Sequence, residues 1–145
     1  YLPPSLHLVL LFNYGMLLFL AGQVKKAYTQ FSRLTQLSFS GVRDDLQSAS
    51  RLLQALCLFE SGDSDYLSYA VINLKRQAKK QSVPYRSEIL LLNAIDKAID
   101  MDESKRYLLW NKLQEKLEIL KDNPLDSALY ENFDILKWVQ NQISR

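Results

Sequence analysis

The chain has 145 residues, of which 48 % are apolar and 23 % are charged. It is therefore long enough for one domain with a substantial core and too apolar for a disordered segment. Its formal net charge of +2 is too small to indicate a polyanion as the main partner. Cys57 is the only cysteine, which excludes an intrachain disulfide and a cysteine-rich metal site.

Residues that break regular structure are scarce, because the chain has only four Gly and four Pro. No stretch alternates apolar and polar residues for long enough to indicate a strand. We therefore predict one all-α domain over residues 1–145, with about seven helices. Their short connections favour antiparallel packing of neighbouring helices.

The first predicted hairpin covers residues 5–38. Ser5 is placed to cap the first helix, and Gly22 is placed to end it. The second helix has an apolar stripe at helical spacing, formed by Val24, Ala27, Tyr28, Phe31 and Leu34. The cluster at 38–41 predicts a turn.

The following helices are predicted at about residues 42–61, 65–80, 85–101, 103–121 and 125–144. The first four of these form a second hairpin over 42–80, with Gly62 at its turn, and a third over 85–121. The last helix, over 125–144, has one polar face. We interpret it as a capping helix, of the kind that stacked helical arrays need for solubility.

Four residues of the first hairpin have a characteristic spacing: Gly15 in the first helix, Gly22 at the turn, and Ala27 and Phe31 in the second helix. With them, Leu6–Leu37 resembles a tetratricopeptide repeat (TPR), a helix–turn–helix unit of about 34 residues. In such a unit, small residues let the two backbones approach closely, and an aromatic ring fills the wedge between hairpins. The resemblance implies a TPR-like right-handed α-solenoid.

Two further stretches carry the resemblance. Ala55 and Gly62 have the same seven-residue spacing as Gly15 and Gly22. The closing stretch Asn132–Trp138 resembles the endings of some uncharacterised bacterial helical-repeat proteins.

The resemblance implies a protein–protein interaction module or scaffold without catalysis and without a cofactor. In this family, peptides usually lie on the concave surface formed by the first helix of each hairpin. The partner-binding residues predicted on that surface are Phe12, Asn13, Met16, Phe19, Leu52 and Leu56. We expect a protein or peptide partner and a cytoplasmic location.

The first helix is apolar nearly all round, whereas a helix with water on one side is usually amphipathic. We therefore expect either further helices before residue 1, in a longer chain of which this is the C-terminal part, or self-association through this helix. A central position in a compact bundle is the alternative. The apolar run 6–21 falls short of the about 20 residues that span a bilayer, so a membrane role is not expected.

A basic cluster favours an alternative function, a helical repeat that binds nucleic acid. Its residues are Lys75, Arg76, Lys79, Lys80 and Arg86. Cations are also common at the C-terminal ends of helices for electrostatic reasons, so the cluster has a structural interpretation too.

Other candidate chemical groups have simpler structural interpretations. An acidic cluster, formed by Asp96, Asp100, Asp102 and Glu103, lacks the ligand spacing of a calcium loop, and its last two members suit helix capping. His7 has no marked catalytic partner, and Cys57 lies in an apolar run. Tyr107, Trp110 and Trp138 are predicted to be core residues.

Overall fold

The computed structural model describes residues 3–37 and 42–145, and these residues form helices and no strands. The all-α prediction is therefore confirmed for the described residues, and the predicted turn at 38–41 lies outside them. The helices are α1 (Pro4–Leu20), α2 (Val24–Gln36), α3 (Asp44–Ser61), α4 (Ser64–Lys79), α5 (Arg86–Ala98), α6 (Arg106–Lys121), α7 (Ser127–Asn132) and α8 (Ile135–Ile143). A single 3-10 turn at Glu103–Lys105 precedes α6.

The turn between α1 and α2 depends on Gly22, which has a φ of 80°. In this left-handed conformation, the Gly22 amide donates to the Phe19 carbonyl at 3.1 Å, and the Gln23 amide donates to the Leu18 carbonyl at 2.9 Å. This pair of bonds is a Schellman motif, which satisfies carbonyls at the end of a helix. The predicted end of the first helix is confirmed.

The close contact between α1 and α2 is centred on Gly15. A Cβ atom placed there would lie 2.7 Å from Cε1 and 2.9 Å from Cζ of the Phe31 ring. Phe31 is fully buried, and the centroid of its ring lies 5.8 Å from the centroid of the Phe12 ring. A small residue is therefore required at Gly15, but its nearest neighbour is the Phe31 ring and not the backbone of α2, whose close approach the resemblance implies.

The centre of the core is α3, which contacts α1, α2, α4, α5 and α7. Every residue from Ser48 to Leu58 is buried, so this part of α3 is enclosed on all sides. The alternative that α1 is the central helix is therefore wrong. One side of α1 packs on α2 and α3, and its other side is exposed.

The last predicted helix is divided into two, so the single helix over 125–144 is wrong. Phe133 has an extended backbone (φ −151°, ψ 132°) between α7 and α8. Asp134 then caps α8 by accepting a hydrogen bond from the Lys137 amide at 3.1 Å. An aspartate at the N-cap stabilises a new helix start, and no Pro or Gly is needed for the break.

The Gly15 contact predicts the effect of Gly15→Ala. In an open helix this change is favourable by about 1 kcal/mol, but here the methyl group collides with a buried ring, and overpacking costs about 1–3 kcal/mol. We expect the substitution to lower the free energy of unfolding by roughly 1 kcal/mol, measured by urea denaturation. In a Phe31→Leu background the loss should shrink or reverse, whereas an equal loss in both backgrounds would contradict the contact.

Candidate interaction surfaces

The predicted partner-binding residues do not form one open surface. Phe12, Leu52 and Leu56 are buried in the core, with 4 %, 0 % and 0 % exposure, so their prediction as surface contacts is wrong. Met16 and Phe19 are half-buried and pack against the core, and Asn13 is exposed. Phe12 packs against Phe31 of α2, and Leu52 and Leu56 lie in the enclosed helix α3. The C-terminal segment, residues 126–139, also contacts the first helices of the hairpins, α1, α3 and α5.

This C-terminal segment contacts all three of those helices. On α1, the ring of Phe19 meets the ring of Phe133 edge-on, with centroids 6.2 Å apart. On α3, the Asp45 carboxylate accepts a hydrogen bond from the Asn132 side-chain amide at 2.7 Å. On α5, Asp126 binds the helix start. The C-terminal segment therefore lies against one point on each of these three helices.

An aromatic cluster fixes α8 on α3 and α6. The rings of Phe59, Trp110 and Trp138 meet edge-on in all three pairings, with centroid distances of 5.6–5.9 Å. The Trp138 indole also donates to the Glu60 carboxylate at 3.0 Å. Both tryptophans are buried, as predicted, but Tyr107 is 53 % exposed, so its prediction as a core residue is wrong.

The N-terminus of α5 is capped from a distance by Asp126. Its carboxylate accepts hydrogen bonds from the backbone amides of Arg86 at 3.0 Å and Ser87 at 2.7 Å, and one from the Ser87 hydroxyl at 2.5 Å. The Tyr130 hydroxyl lies 2.7 Å from the Ser87 hydroxyl and donates to the Leu117 carbonyl. Burial raises the pKa of Tyr130 to about 12. The Tyr130 hydroxyl therefore stays protonated at neutral pH, and these hydrogen bonds join α5, α6 and α7.

A buried ion pair joins α3 to α5. Arg51 donates from Nε to Glu88 at 2.6 Å and from Nη2 at 2.9 Å, and the Ser48 hydroxyl donates to the same carboxylate at 2.5 Å. Burial raises the pKa of Glu88, while the bonds from Arg51 and Ser48 oppose that effect. Sequence reasoning missed this pair. The available signal was the position of Arg51 inside the long apolar run of α3.

The outer face of α1 is open and apolar. The large apolar side chains exposed on it are Leu6 (43 %), Leu10 (49 %), Tyr14 (52 %), Leu17 (68 %) and Leu20 (74 %). Their spacing places them on one side of the helix, with Asn13 among them. No Asp, Glu, Lys or Arg occurs between Pro4 and Leu20. We call this set of six residues the α1 outer face.

The basic cluster lies at the end of α4 and the start of α5. Arg76, Lys79, Lys80 and Arg86 are exposed. Lys75 is half-buried and donates a hydrogen bond to the Asn93 side chain at 3.1 Å. Four cations of the cluster are therefore exposed to solvent, and the fifth, Lys75, is engaged in a contact between α4 and α5.

The remaining chemical candidates show no assembled site. Cys57 is 2 % exposed, and burial raises the pKa of its thiol to about 12, which disfavours a reactive thiolate. Within residues 3–37 and 42–145, no group of three or more His, Cys, Asp and Glu side chains is arranged to hold a metal ion. Over the same residues, no helix combines the length and apolarity needed to cross a membrane.

The hydrogen bonds between Asp126 and the backbone amides at the start of α5 predict the effect of Asp126→Ala. The change leaves buried amides at the start of α5 without an acceptor, which costs about 1–3 kcal/mol. We expect lower stability and faster hydrogen exchange at the amides of Arg86 and Ser87. Asp134→Ala is the matched control, because it removes an exposed cap and costs about 1 kcal/mol. Unchanged exchange at Ser87 in Asp126→Ala would contradict the assignment.

A pH dependence follows from Asp45. Burial alone would raise the pKa of this carboxyl, but hydrogen bonds from Arg43 and Asn132 outweigh burial and hold the pKa below its ordinary value. The ionised group therefore stabilises the fold above its unfolded-state pKa, and this contribution is lost as the pH falls through the folded-state value. Asp45→Asn should lower the urea midpoint at neutral pH and change it less near about pH 3.

The control for this change is Asp44→Asn, one residue earlier, whose side chain makes no hydrogen bond within the described part of the chain. An equal effect of Asp45→Asn at both pH values would contradict the role of its charge.

Comparison with known proteins identified no relative: the chain matches no protein-family model, no curated protein and no solved structure at a significant level.

Proposed function

We propose that this chain is a non-catalytic protein–protein interaction module or scaffold, and that its α1 outer face binds an apolar face of a partner helix. The observation that carries the proposal is the exposure of five large apolar side chains on one side of an uncharged helix. Contiguous exposed apolar patches on soluble domains mark interaction sites.

The fold supports this choice of surface over the inner groove. Residues 126–139 contact the first helices of all three hairpins, so a peptide would have to displace a segment that contains the buried Trp138 and Val139. The α1 outer face needs no such displacement. Its residues follow the i, i+3, i+4 and i+7 spacing by which one amphipathic helix docks on another.

For the architecture, we propose a TPR-like right-handed stack of three hairpins. Consecutive helices from α1 to α7 contact each other, and in addition α1 contacts α3, and α3 contacts α5, as the first helices of stacked hairpins do. The Gly15–Phe31 contact supports the same arrangement. In this proposal α7 and α8 are the cap of the stack, folded onto its inner side.

The test is the double substitution Leu10→Glu and Leu17→Glu. Both side chains are about half exposed or more, so we expect the free energy of unfolding to change by less than about 0.5 kcal/mol per site. Charges on this face should abolish association, measured by sedimentation velocity, and should lower the binding of a hydrophobic dye. Ile72→Glu is the matched control, because Ile72 is 58 % exposed on α4.

The outcomes identify the partner or reject the proposal. A wild-type dimer that becomes monomeric in the double variant identifies a second copy of the chain as the partner. A wild-type monomer that binds the dye through α1 identifies an open site for a different protein. A wild-type monomer without affinity for the dye, or equal effects of Ile72→Glu and the double variant, would overturn the role of α1.

A further inference from the structure

A second open surface lies between the start of α5 and the end of α6. It is a groove of about 540 Å³, within the range of ligand pockets. Most of its lining is apolar and comes from Pro84, Tyr85, Ile89, Leu90, Ile119 and Leu120. We call it the α5–α6 groove. It is separate from the α1 outer face, with which it shares no residue.

One apolar residue of this groove, Ile119, is not explained by the needs of the fold, whereas Tyr85, Leu90 and Leu120 also pack in or against the core. The buried stripe of α6 consists of Trp110, Leu113, Leu117 and Leu120, and Ile119 lies beside it with 76 % exposure. An isoleucine at an exposed helical position adds little packing and has a lower helix propensity than lysine or glutamate. Val83, next to Pro84, is also 55 % exposed. The apolar surface therefore extends beyond the groove.

Leu125 belongs to the same end of the molecule. It precedes Asp126, whose carboxylate binds the backbone amides of Arg86 and Ser87, so it lies near the start of α5. Its side chain is 64 % exposed. Leu125 and Ile119 are thus two large apolar side chains exposed near the α5–α6 groove.

The charges that line the groove have one sign. Arg86 and Lys116 are its only charged lining residues, and both side chains are exposed. The ion pairs in the described part of the chain are Arg43–Asp45 and Arg51–Glu88, so neither lining cation has a carboxylate within 4.0 Å there. The groove thus combines an apolar floor with two cations.

The two cations come from the two helices that form the groove. Arg86 is the first residue of α5, and Lys116 lies in the second half of α6. The Ser87 hydroxyl lies 2.7 Å from the Tyr130 hydroxyl, which donates to the Leu117 carbonyl, so the start of α5 lies beside this part of α6. Carboxylates on one face of a docked helix would therefore meet both cations.

We propose that the α5–α6 groove binds an acidic amphipathic helix of a protein partner, with its apolar residues against Ile89, Leu90 and Ile119 and its carboxylates at Arg86 and Lys116. A nucleic acid fits this surface less well. Single strands need aromatic platforms and a track of cations, whereas the groove floor is mainly aliphatic and its one aromatic residue is Tyr85.

The test uses a pair of designed helical peptides carrying a fluorescent label. Both have the same leucine stripe, flanked by glutamate in one peptide and by lysine in the other. We expect fluorescence anisotropy to show that the glutamate peptide binds at least about tenfold more tightly to the wild-type chain at low salt. The double variant Arg86→Glu and Lys116→Glu should reverse this preference.

Three variants separate the groove from general effects. Ile119→Ser should weaken the glutamate peptide, because it removes an apolar contact. Lys112→Glu, on α6 but outside the groove lining, should leave the preference unchanged. Leu10→Glu with Leu17→Glu should also leave it unchanged, so a failure of the α1 proposal and a failure of this one are distinguishable.

Several results would overturn the proposal. One is equal binding of the two peptides to the wild-type chain. Another is a preference that survives the double charge reversal in a variant whose circular dichroism and thermal unfolding match the wild type. A labelled single-stranded oligonucleotide is the third ligand tested. If it binds, loses binding on charge reversal, and neither peptide binds, the cations belong to a nucleic-acid site instead.

Discussion

The enclosure of α3 is the constraint on which the rest of the fold depends. Its residues from Ser48 to Leu58 are buried, yet they include polar and charged side chains. A buried charge without a partner is strongly destabilising, so Arg51 requires Glu88. This pair also fixes the relative position of α3 and α5, because its geometry leaves little freedom. Gln54 likewise donates to the Ser32 hydroxyl on α2 at 2.8 Å.

The same enclosure explains the course of the C-terminal segment. Residues 126–139 add Leu129, Ile135 and Val139 to the core around α3, and all three are fully buried. Polar contacts at Asp45, Glu60 and Ser87 then hold this segment at three separate points. The same core contains residues that the sequence predicts on a peptide-binding surface: Phe12, Leu52 and Leu56.

Local sequence patterns predicted local structure well. Gly22 and Gly62 end their helices with positive φ, and the small residue Gly15 meets Phe31. The division of the last helix was missed, because no Pro or Gly marks it and the extended Phe133 packs on Phe19, more than a hundred positions earlier. The binding residues were misplaced because their burial depends on tertiary packing. Phe12 and Leu56 have the periodicity of a groove, but periodicity does not show which face another segment will cover.

The C-terminal segment bears on where a partner would bind. Because it is covalently attached, its effective concentration far exceeds that of a free peptide, so the proposed surfaces are ones that the segment leaves open. The two proposed surfaces differ in chemistry: the α1 outer face has no charge, and the α5–α6 groove has two cations. An uncharged helix would favour the first, and an acidic helix the second. If both proposed surfaces bind as inferred, the chain holds two different partners at once, as a scaffold does.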